Sequence, residues 1–350
     1  MKSFRINNRP IGVGHPVFVI AEAGVNHNGD LAMARQLVEV AVQAGADAVK
    51  FQTFQADTLA SSYAPKAAYQ KTAGKAGESQ REMLRRLELS PKDHRQLMAL
   101  CKKRGILFLS SPFDEASAYL LKGMGVAALK IPSGEITNLP FLAHVAAMKL
   151  PLIISTGMAN MKEVRDAMRV VRRVAAPGSV SLLHCVSAYP ANAKDCNLRA
   201  MSTLSKAFKV PVGFSDHTLG TEITWAAVAL GATVIEKHFT LDKSLPGPDH
   251  KASLSPSELQ GFIRGIRSIE SALGDGRKVP VKAERDTAMV ARKSLVAVAD
   301  LQAGTRIGSG MFLARRPGNG IPPAQLDRVI GRRLRVDLKA EQLLGWGMLK

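Results

Sequence analysis

The chain has 350 residues, 46% of them apolar, with 29 glycines, 18 prolines and a formal net charge of +19, a profile that fits about two folded domains and excludes a disordered or fibrous protein. No apolar run approaches the roughly 18 residues of a membrane span, and the opening MKSFRINNRPIGVGHP lacks the continuous apolar core of a signal peptide. Three cysteines at unrelated spacings form neither a disulfide framework nor a CxxC metal site, so a cytoplasmic, soluble protein is expected.

In chain order, the first apolar run is Val17 to Ala21, followed by EAGVNHNGD and a helical pattern from Leu31 to Ala44 that Gly45 closes. DAVKFQT comes next, carrying Lys50 and Gln52 at its end. The polar insertion from Phe54 to Leu89 has no strand pattern, and its length predicts a functional loop or lid. From Ser90 a rhythm sets in. Ser90-Pro91 starts a helix that Gly105 ends. Then come ILFLSSPFD, a helix over 115–124, AALKIPSGE, a helix over 139–148, PLIISTGM, a helix over 162–175, SLLHCVSAYP and a helix over 198–208. Strands at Pro211 to Phe214 and Thr233 to Ile235 flank a helix over 221–230, and a last helix runs over 256–273.

Eight strand-and-helix alternations within about 270 residues predict a (β/α)8 TIM barrel over 1–275, whose reactive face is the C-terminal end of the strands. EAGVNHNG lacks the G-x-G-x-x-G spacing that a doubly wound dinucleotide fold would show there. Residues 276–291 read as a polar linker, and 292–350, broken by Gly and Pro into short apolar runs, as a small β-rich domain. From Gly276 onward there are 15 Lys and Arg against 6 Asp and Glu. Such a charge suits an anionic substrate as well as a nucleic acid, but aromatics are only 5% and no zinc-finger or RNA-recognition pattern is present.

The predicted strand ends carry Glu22, Asn26 and His27; Lys50 and Gln52; Ser110 and Ser111; Lys130, Ser133 and Glu135; Ser155 and Thr156; Ser187 and Tyr189; Ser215, Asp216 and His217; Glu236 and His238. Two lysines and several hydroxyls aimed at one mouth suit a phosphate or carboxylate cradle. A lone histidine is usually a hydrogen-bonded structural residue. His217 and His238, however, end successive strands, where two neutral imidazoles can share one divalent ion that keeps open positions for water and substrate, a Lewis-acid site rather than structural zinc.

IAEAGVNHNGD, VKFQT, LSSPFD, LKIPSGE, ISTGM, LLHCVSAYP, GFSDHT, EKHFT, GPDH and RRPGNGIPP, in this order, resemble the N-acetylneuraminate (sialic acid) synthase family, including its legionaminate and pseudaminate synthase relatives, from about Phe18 to the C-terminus. The resemblance implies a TIM barrel followed by an antifreeze-like (SAF) domain in a domain-swapped homodimer. It implies condensation of phosphoenolpyruvate with an open-chain 2-acetamido sugar aldehyde such as N-acetylmannosamine, giving a nine-carbon 2-keto acid and phosphate. The relatives that act on 2,4-diacetamido-6-deoxy sugars share every one of these motifs. Mn2+ is the implied ion, with Mg2+ or Co2+ as alternatives, on His217 and His238. By the same resemblance Lys50, Ser110, Lys130, Ser133 and Ser215 hold phosphoenolpyruvate and Glu22 handles a proton at the reacting carbons. Gln52, Glu135, Tyr189 and Asp249 bind or shape the sugar site, and Arg316 reaches it from the tail domain of the other subunit. Ser187, also placed at the substrate, stands where several relatives carry Asn.

Two rivals remain open on sequence: another enolpyruvate-using or metal-dependent aldol enzyme on the same barrel, and a basic nucleic-acid or polysaccharide binder. The enzyme needs no nucleic-acid or membrane partner, only its two small substrates.

Overall fold

Described here are residues 4–67, 70 and 77–350 of a computed structural model. An N-terminal hairpin, β1 (Phe4–Ile6) and β2 (Arg9–Ile11), precedes eight parallel strands. These are β3 (Phe18–Gly24), β4 (Ala48–Thr53), β5 (Leu107–Pro112), β6 (Leu129–Ile131), β7 (Leu152–Ser155), β8 (Val180–Cys185), β9 (Val212–Asp216) and β10 (Val234–His238). Their order in the sheet, β5-β4-β3-β10-β9-β8-β7-β6, is cyclic, and β5 lies beside β6, so the strands form a barrel. The hairpin was not anticipated, because two three-residue strands are too short for a period-2 signal.

The helices start where capping chemistry places them. α1 (Leu31–Ala44) is capped by Asp30 and ended by Gly45. Two short helices, α2 (Ala56–Leu59) and α3 (Gln80–Arg86), occupy the long insertion, and the part of that insertion over 68–69 and 71–76 lies outside the described residues. α4 (Pro91–Arg104) opens with a capping box of Ser90 and Asp93 and a proline in its first turn. α5 (Glu115–Met124), α6 (Leu139–Ala147), α7 (Met161–Val174), α8 (Ala200–Phe208), α9 (Glu222–Ala229) and α10 (Pro256–Leu273) complete the outer layer.

The strands alternate strictly between two environments. Outward residues such as Val19, Val49, Phe108, Ile154, Phe214 and Ile235 join the helices in the main core. Inward residues Phe18, Ile20, Ala48, Leu109, Ala128, Ile153, Leu183 and Val234 form a separate cluster, joined at the N-terminal end by Phe4, Ile6 and Ile11 of the hairpin. The barrel is therefore filled and stoppered at one end, and only its C-terminal mouth is polar.

The chain divides into two compact units, Met1–Gly274 and Asp275–Lys350. The second holds a short helix, α11 (Arg285–Ala291), within the stretch read as linker, then β11 (Ser294–Ala297) paired antiparallel with β12 (Phe312–Arg315), isolated bridges and α12 (Leu326–Val329). Its own core gathers Leu295, Ile307, Phe312, Ile321, Val329, Leu334, Leu338 and Leu344.

Candidate active site

Two residues beyond each apolar inward position, the same alternation turns a second side chain into the barrel. From β3 to β10 these are Glu22, Lys50, Ser111, Lys130, Ser155, Cys185, Ser215 and Glu236, and all eight line one cavity of about 480 Å³. One strand supplies one member, so the ring is fixed by sheet register and not by loops.

Four of the eight carry charge, and all four are buried. Lys50 Nζ lies 2.9 Å from a Glu22 oxygen and 3.7 Å from Glu236, and Lys130 Nζ lies 3.3 Å from Glu236. Lys50 also donates to Ser111 Oγ at 2.9 Å, and Ser215 Oγ donates to Glu236 Oε1 at 2.9 Å. Burial, reinforced by the Glu236 charge and only partly offset by Lys50, raises the Glu22 carboxyl to about 7. Burial also opposes ionisation of Glu236, but Lys130 and Lys50 together outweigh it and bring that carboxyl down to about 2. Burial, with Lys50 adding to it, lowers Lys130, whereas Glu22 and Glu236 overcome burial and raise Lys50. Two similar carboxylates are thus driven apart, one left able to exchange a proton near neutrality and the other held ionised.

Above the ring, the next inward positions bring Gln52, Ser187, His217 and His238 to the same cavity. The two imidazole centroids are 5.7 Å apart, and the Tyr189 ring lies 4.2 Å from that of His217 and 5.8 Å from that of His238. Burial lowers the pKa of both histidines, and for His238 the neighbouring His217 adds to it, so both rings are neutral at pH 7. His217 Nδ1 is 2.7 Å from the Val186 carbonyl, which only accepts, so its Nε2 carries the lone pair. His238 Nδ1 is buried without a hydrogen-bond partner, with an Asp249 oxygen 3.9 Å away. Burial lifts Asp249 to about 6. Among the described residues no group of three or more His, Cys, Asp or Glu could enclose a metal. Two neutral imidazoles, one with an orphaned buried nitrogen, fit a divalent ion held by few protein donors and otherwise open, the catalytic rather than the structural pattern.

On the opposite side, hydroxyls crowd around Gly157. A Cβ there would stand 2.3 Å from Ser187 Oγ, 2.8 Å from Ser133 Oγ and 2.8 Å from Cys185 Sγ, so only glycine leaves the hollow open. Gly157 N–H donates to Ser133 Oγ at 3.0 Å, and Ser155 Oγ is buried with no partner. Lys130 lines the same cavity, and its ammonium with the orphaned Ser155 hydroxyl suits an anion cradle. Gly24, with φ of 54°, plays a matching part beside the imidazoles: a Cβ would come within 3.2 Å of His238 and 3.3 Å of Glu22, where a bulge shifts the register of β3 on β4.

Glu22, Lys50, Gln52, Lys130, Ser133, Ser187, Tyr189, Ser215, His217, His238 and Asp249 all meet in this cavity. Two other predicted residues of the barrel are placed elsewhere. Ser110 is fully buried on the outward face of β5 and does not line the cavity. His94 Nδ1 donates to the Ser90 carbonyl, so Nε2 accepts from Thr53 at 2.8 Å, and Thr53 Oγ1 in turn accepts from Ser110 at 2.7 Å. The Ser110 proton is committed to the wall, and Ser111 takes the expected place. Glu135 accepts from Asn138 at 2.7 Å outside the cavity lining. Arg316 is an exposed residue of the C-terminal unit whose Nε donates to the Ala291 carbonyl at 3.1 Å.

Glu236, Ser111 and Ser155 stand at predicted strand ends but received no role, although period-2 spacing from their apolar neighbours marks them. For the remaining wall the length of the insertion marked a functional loop, but no individual residue was marked. Val25, Leu59, Met83, Leu84, Leu87 and Phe113 line the cavity on the side of α2 and α3, within an apolar cluster that includes Phe54.

Residues 37–278 match the NeuB family model and residues 292–350 the SAF domain model. N,N'-diacetyllegionaminic acid synthase of Legionella pneumophila is 49% identical over 97% of this chain and 96% of its own length. The protein of the same name from Campylobacter jejuni is 48% identical over 93% of this chain and 98% of its own. Among solved structures, N-acetylneuraminic acid (sialic acid) synthetase of Leptospira borgpetersenii, in complex with citrate, has a TM-score of 0.72 and 35% identity, covering 81% of this chain and 94% of that one. A family model spanning more than half of the sequence, relatives alike along nearly their whole length and a shared barrel lead to one conclusion: the chain belongs to the NeuB family of synthases.

Proposed function

We propose that the protein joins the enol carbon of phosphoenolpyruvate to the aldehyde carbon of an open-chain 2-acetamido sugar, releasing phosphate and leaving a nine-carbon 2-keto sugar acid. The observation that carries this reading is the single cavity in which two buried lysines, a hollow of serine hydroxyls, a carboxyl raised to about 7 and two neutral imidazoles meet. Lys130, Ser133, Ser155, Ser187 and Ser215, with Lys50 and Ser111, suit the strongly anionic ends of phosphoenolpyruvate. His217 and His238 suit a divalent ion, Mn2+ first and Mg2+ or Co2+ as alternatives, which when bound supplies Lewis acidity at the aldehyde oxygen.

The chain's own groups balance the remaining steps. The enol π pair forms the new carbon–carbon bond, and protonated Glu22 gives its proton to the aldehyde oxygen. The cation left at the former enol carbon takes up a water oxygen, and ionised Glu22 recovers a proton from that water. The carbon–oxygen bond to phosphate then breaks with its electron pair on phosphate, which takes the hydroxyl proton as the keto group forms.

Two relatives sharing nearly half of their residues with this chain bear the name N,N'-diacetyllegionaminic acid synthase. That supports a 2,4-diacetamido-6-deoxy aldehyde as acceptor ahead of N-acetylmannosamine. Three free, buried cysteines fit a reducing cytoplasm, and among the described residues no helix is long and apolar enough to cross a membrane. The RRPGNG segment around Arg316 supports a homodimer in which that arginine serves the other copy's barrel.

Phosphate release measured with phosphoenolpyruvate, acceptor and Mn2+ tests the reading. Release should require all three, cease with a chelator and cease in His217→Ala and His238→Ala. Activity with none of N-acetylmannosamine, its 6-phosphate and the 2,4-diacetamido-6-deoxy sugars would remove the assignment. Polymer affinity that falls steeply with salt and survives both substitutions would favour a binding protein.

A further inference from the structure

Two segments at the mouth have no part in the chemistry just described, Asn26 to Asn28 after β3 and His250 to Ser253 after β10, and they are bonded to each other. Asn26 is fully buried. Its Nδ2 donates to the Phe239 carbonyl at 2.8 Å and to Ser253 Oγ at 2.9 Å, and Ser253 Oγ donates to the Asp249 carbonyl at 2.6 Å. The direction of each bond is fixed, because a backbone carbonyl only accepts and the one serine proton is spent on Asp249. A single amide thus joins the residue after His238 to the residue whose carboxyl lies 3.9 Å from His238 Nδ1.

A second clasp holds the same loop. His250 is buried, with Nε2 3.2 Å from Asn28 Oδ1 and Nδ1 2.7 Å from Thr240 Oγ1. The Asn28 oxygen accepts, so Nε2 carries the ring proton and Nδ1 receives that of the Thr240 hydroxyl. Gly247, with φ of 153°, passes where a Cβ would stand 2.6 Å from the His250 ring and 2.8 Å from Asn28 Oδ1. The backbone closes the loop at its base, Leu254 N–H donating to the His238 carbonyl and Thr240 N–H to the Leu254 carbonyl, each at 2.9 Å. Asn26 Oδ1, in contrast, is buried with no partner, which opposes stability and which a leucine of the same shape would not suffer. An amide kept on those terms is accounted for by what its two donors hold in place.

We infer that Asn26, acting through Ser253, is a positioning residue of the divalent-ion site: it sets Asp249 against the open nitrogen of His238 before any ion or substrate binds. The inference rests on the proposed ion at His217 and His238 and deepens it. Two imidazoles are few donors for such an ion, so the groups that fix their surroundings weigh heavily, and removing one partner of this kind typically costs about 10- to 100-fold in metal affinity. The anion hollow is held by Ser133 and Gly157 on the β6–β8 side and shares none of these bonds. The clasp therefore acts on the ion and leaves the hollow as it is.

The test measures Mn2+ binding to the full-length protein without substrates, from the electron paramagnetic resonance signal of free Mn2+, and separately the KM for phosphoenolpyruvate at saturating Mn2+. Asn26→Leu keeps the shape and removes both donors, and Ser253→Ala cuts the link to Asp249. Each should weaken Mn2+ binding about 10- to 100-fold, leave the phosphoenolpyruvate KM nearly unchanged and regain phosphate release as Mn2+ is raised. Ser181→Ala removes another buried serine, one that donates to the Pro211 carbonyl at 3.1 Å within β8, and should leave Mn2+ binding as in wild type. Circular dichroism checks that each variant folds, and if Asn26→Leu does not, Ser253→Ala decides. Unchanged Mn2+ affinity in folded variants, or a loss that Ser181→Ala shares, would overturn the inference while leaving the metal reading intact. A wild type that binds no Mn2+ would overturn both.

Discussion

Glu22 is the residue on which proton traffic turns. Its carboxyl, raised to about 7 chiefly by burial, is protonated below that pH and ionised above it. An acid role therefore predicts that kcat/KM falls as pH rises through about 7. Glu22→Gln should remove that alkaline limb and lower kcat by roughly 10²- to 10⁴-fold; a profile that keeps its limb in the variant would assign the titration to another group. Glu22 was legible from the sequence because it directly follows an apolar run. Ser110 misled for the same reason. SerSer at the end of a strand offers two hydroxyls, and only the two-residue step from Leu109 decides that Ser111 faces the cavity while Ser110 turns outward to Thr53 and His94. Counting parity from the inward apolar residue of each strand would also have raised Glu236, two residues beyond Val234, to a functional position.

At the scale of strands and helices, the two histidines are carried by β9 and β10, and the residue before each is locked to the other on the outer side of the barrel. Lys237 Nζ donates to Asp216 Oδ2 and to the Thr218 carbonyl, each at 2.7 Å, and Asp216 also accepts from Thr218 and from Thr224 of α9. Both charges are 1% exposed. Such a pair adds little net stability when intact, but removing one partner strands the other in a dry site. Lys237→Met should therefore cost about 3–5 kcal/mol in urea unfolding, and adding Asp216→Asn should recover part of that loss; an unchanged midpoint in the single variant would show that water reaches Asp216. Helix positions were legible through their caps, Ser90 with Pro91 and Gly45 among them, because capping is local chemistry. The insertion was not, because α2 and α3 are too short to show a periodic stripe and are held by contacts to Val25 and Phe113 that are distant in sequence or on other loops.

On the scale of the whole molecule, each of the two units has its own apolar core, and the basic excess after residue 276 belongs to the second. The proposed exchange of Arg316 between copies predicts complementation. Full-length Arg316→Ala and His217→Ala proteins, each inactive alone, should recover roughly a quarter of wild-type activity when co-folded in equal amounts, since half of the assemblies of a two-fold dimer are mixed and each of these has one intact site. Recovery of nothing would place Arg316 in its own chain's site, and an Arg316→Ala protein that is active alone would place it outside the reaction.

The hairpin of Phe4, Ile6 and Ile11 that seals the lower end of the barrel makes the reaction chamber a cul-de-sac. Everything must pass through one doorway, and the ring of lysines and serines lies deeper than the imidazoles and the apolar wall. In the proposed reaction the enol phosphate accordingly has to be seated before the sugar arrives, and a sugar that comes early becomes a cork, so an excess of it slows the enzyme until more phosphoenolpyruvate competes.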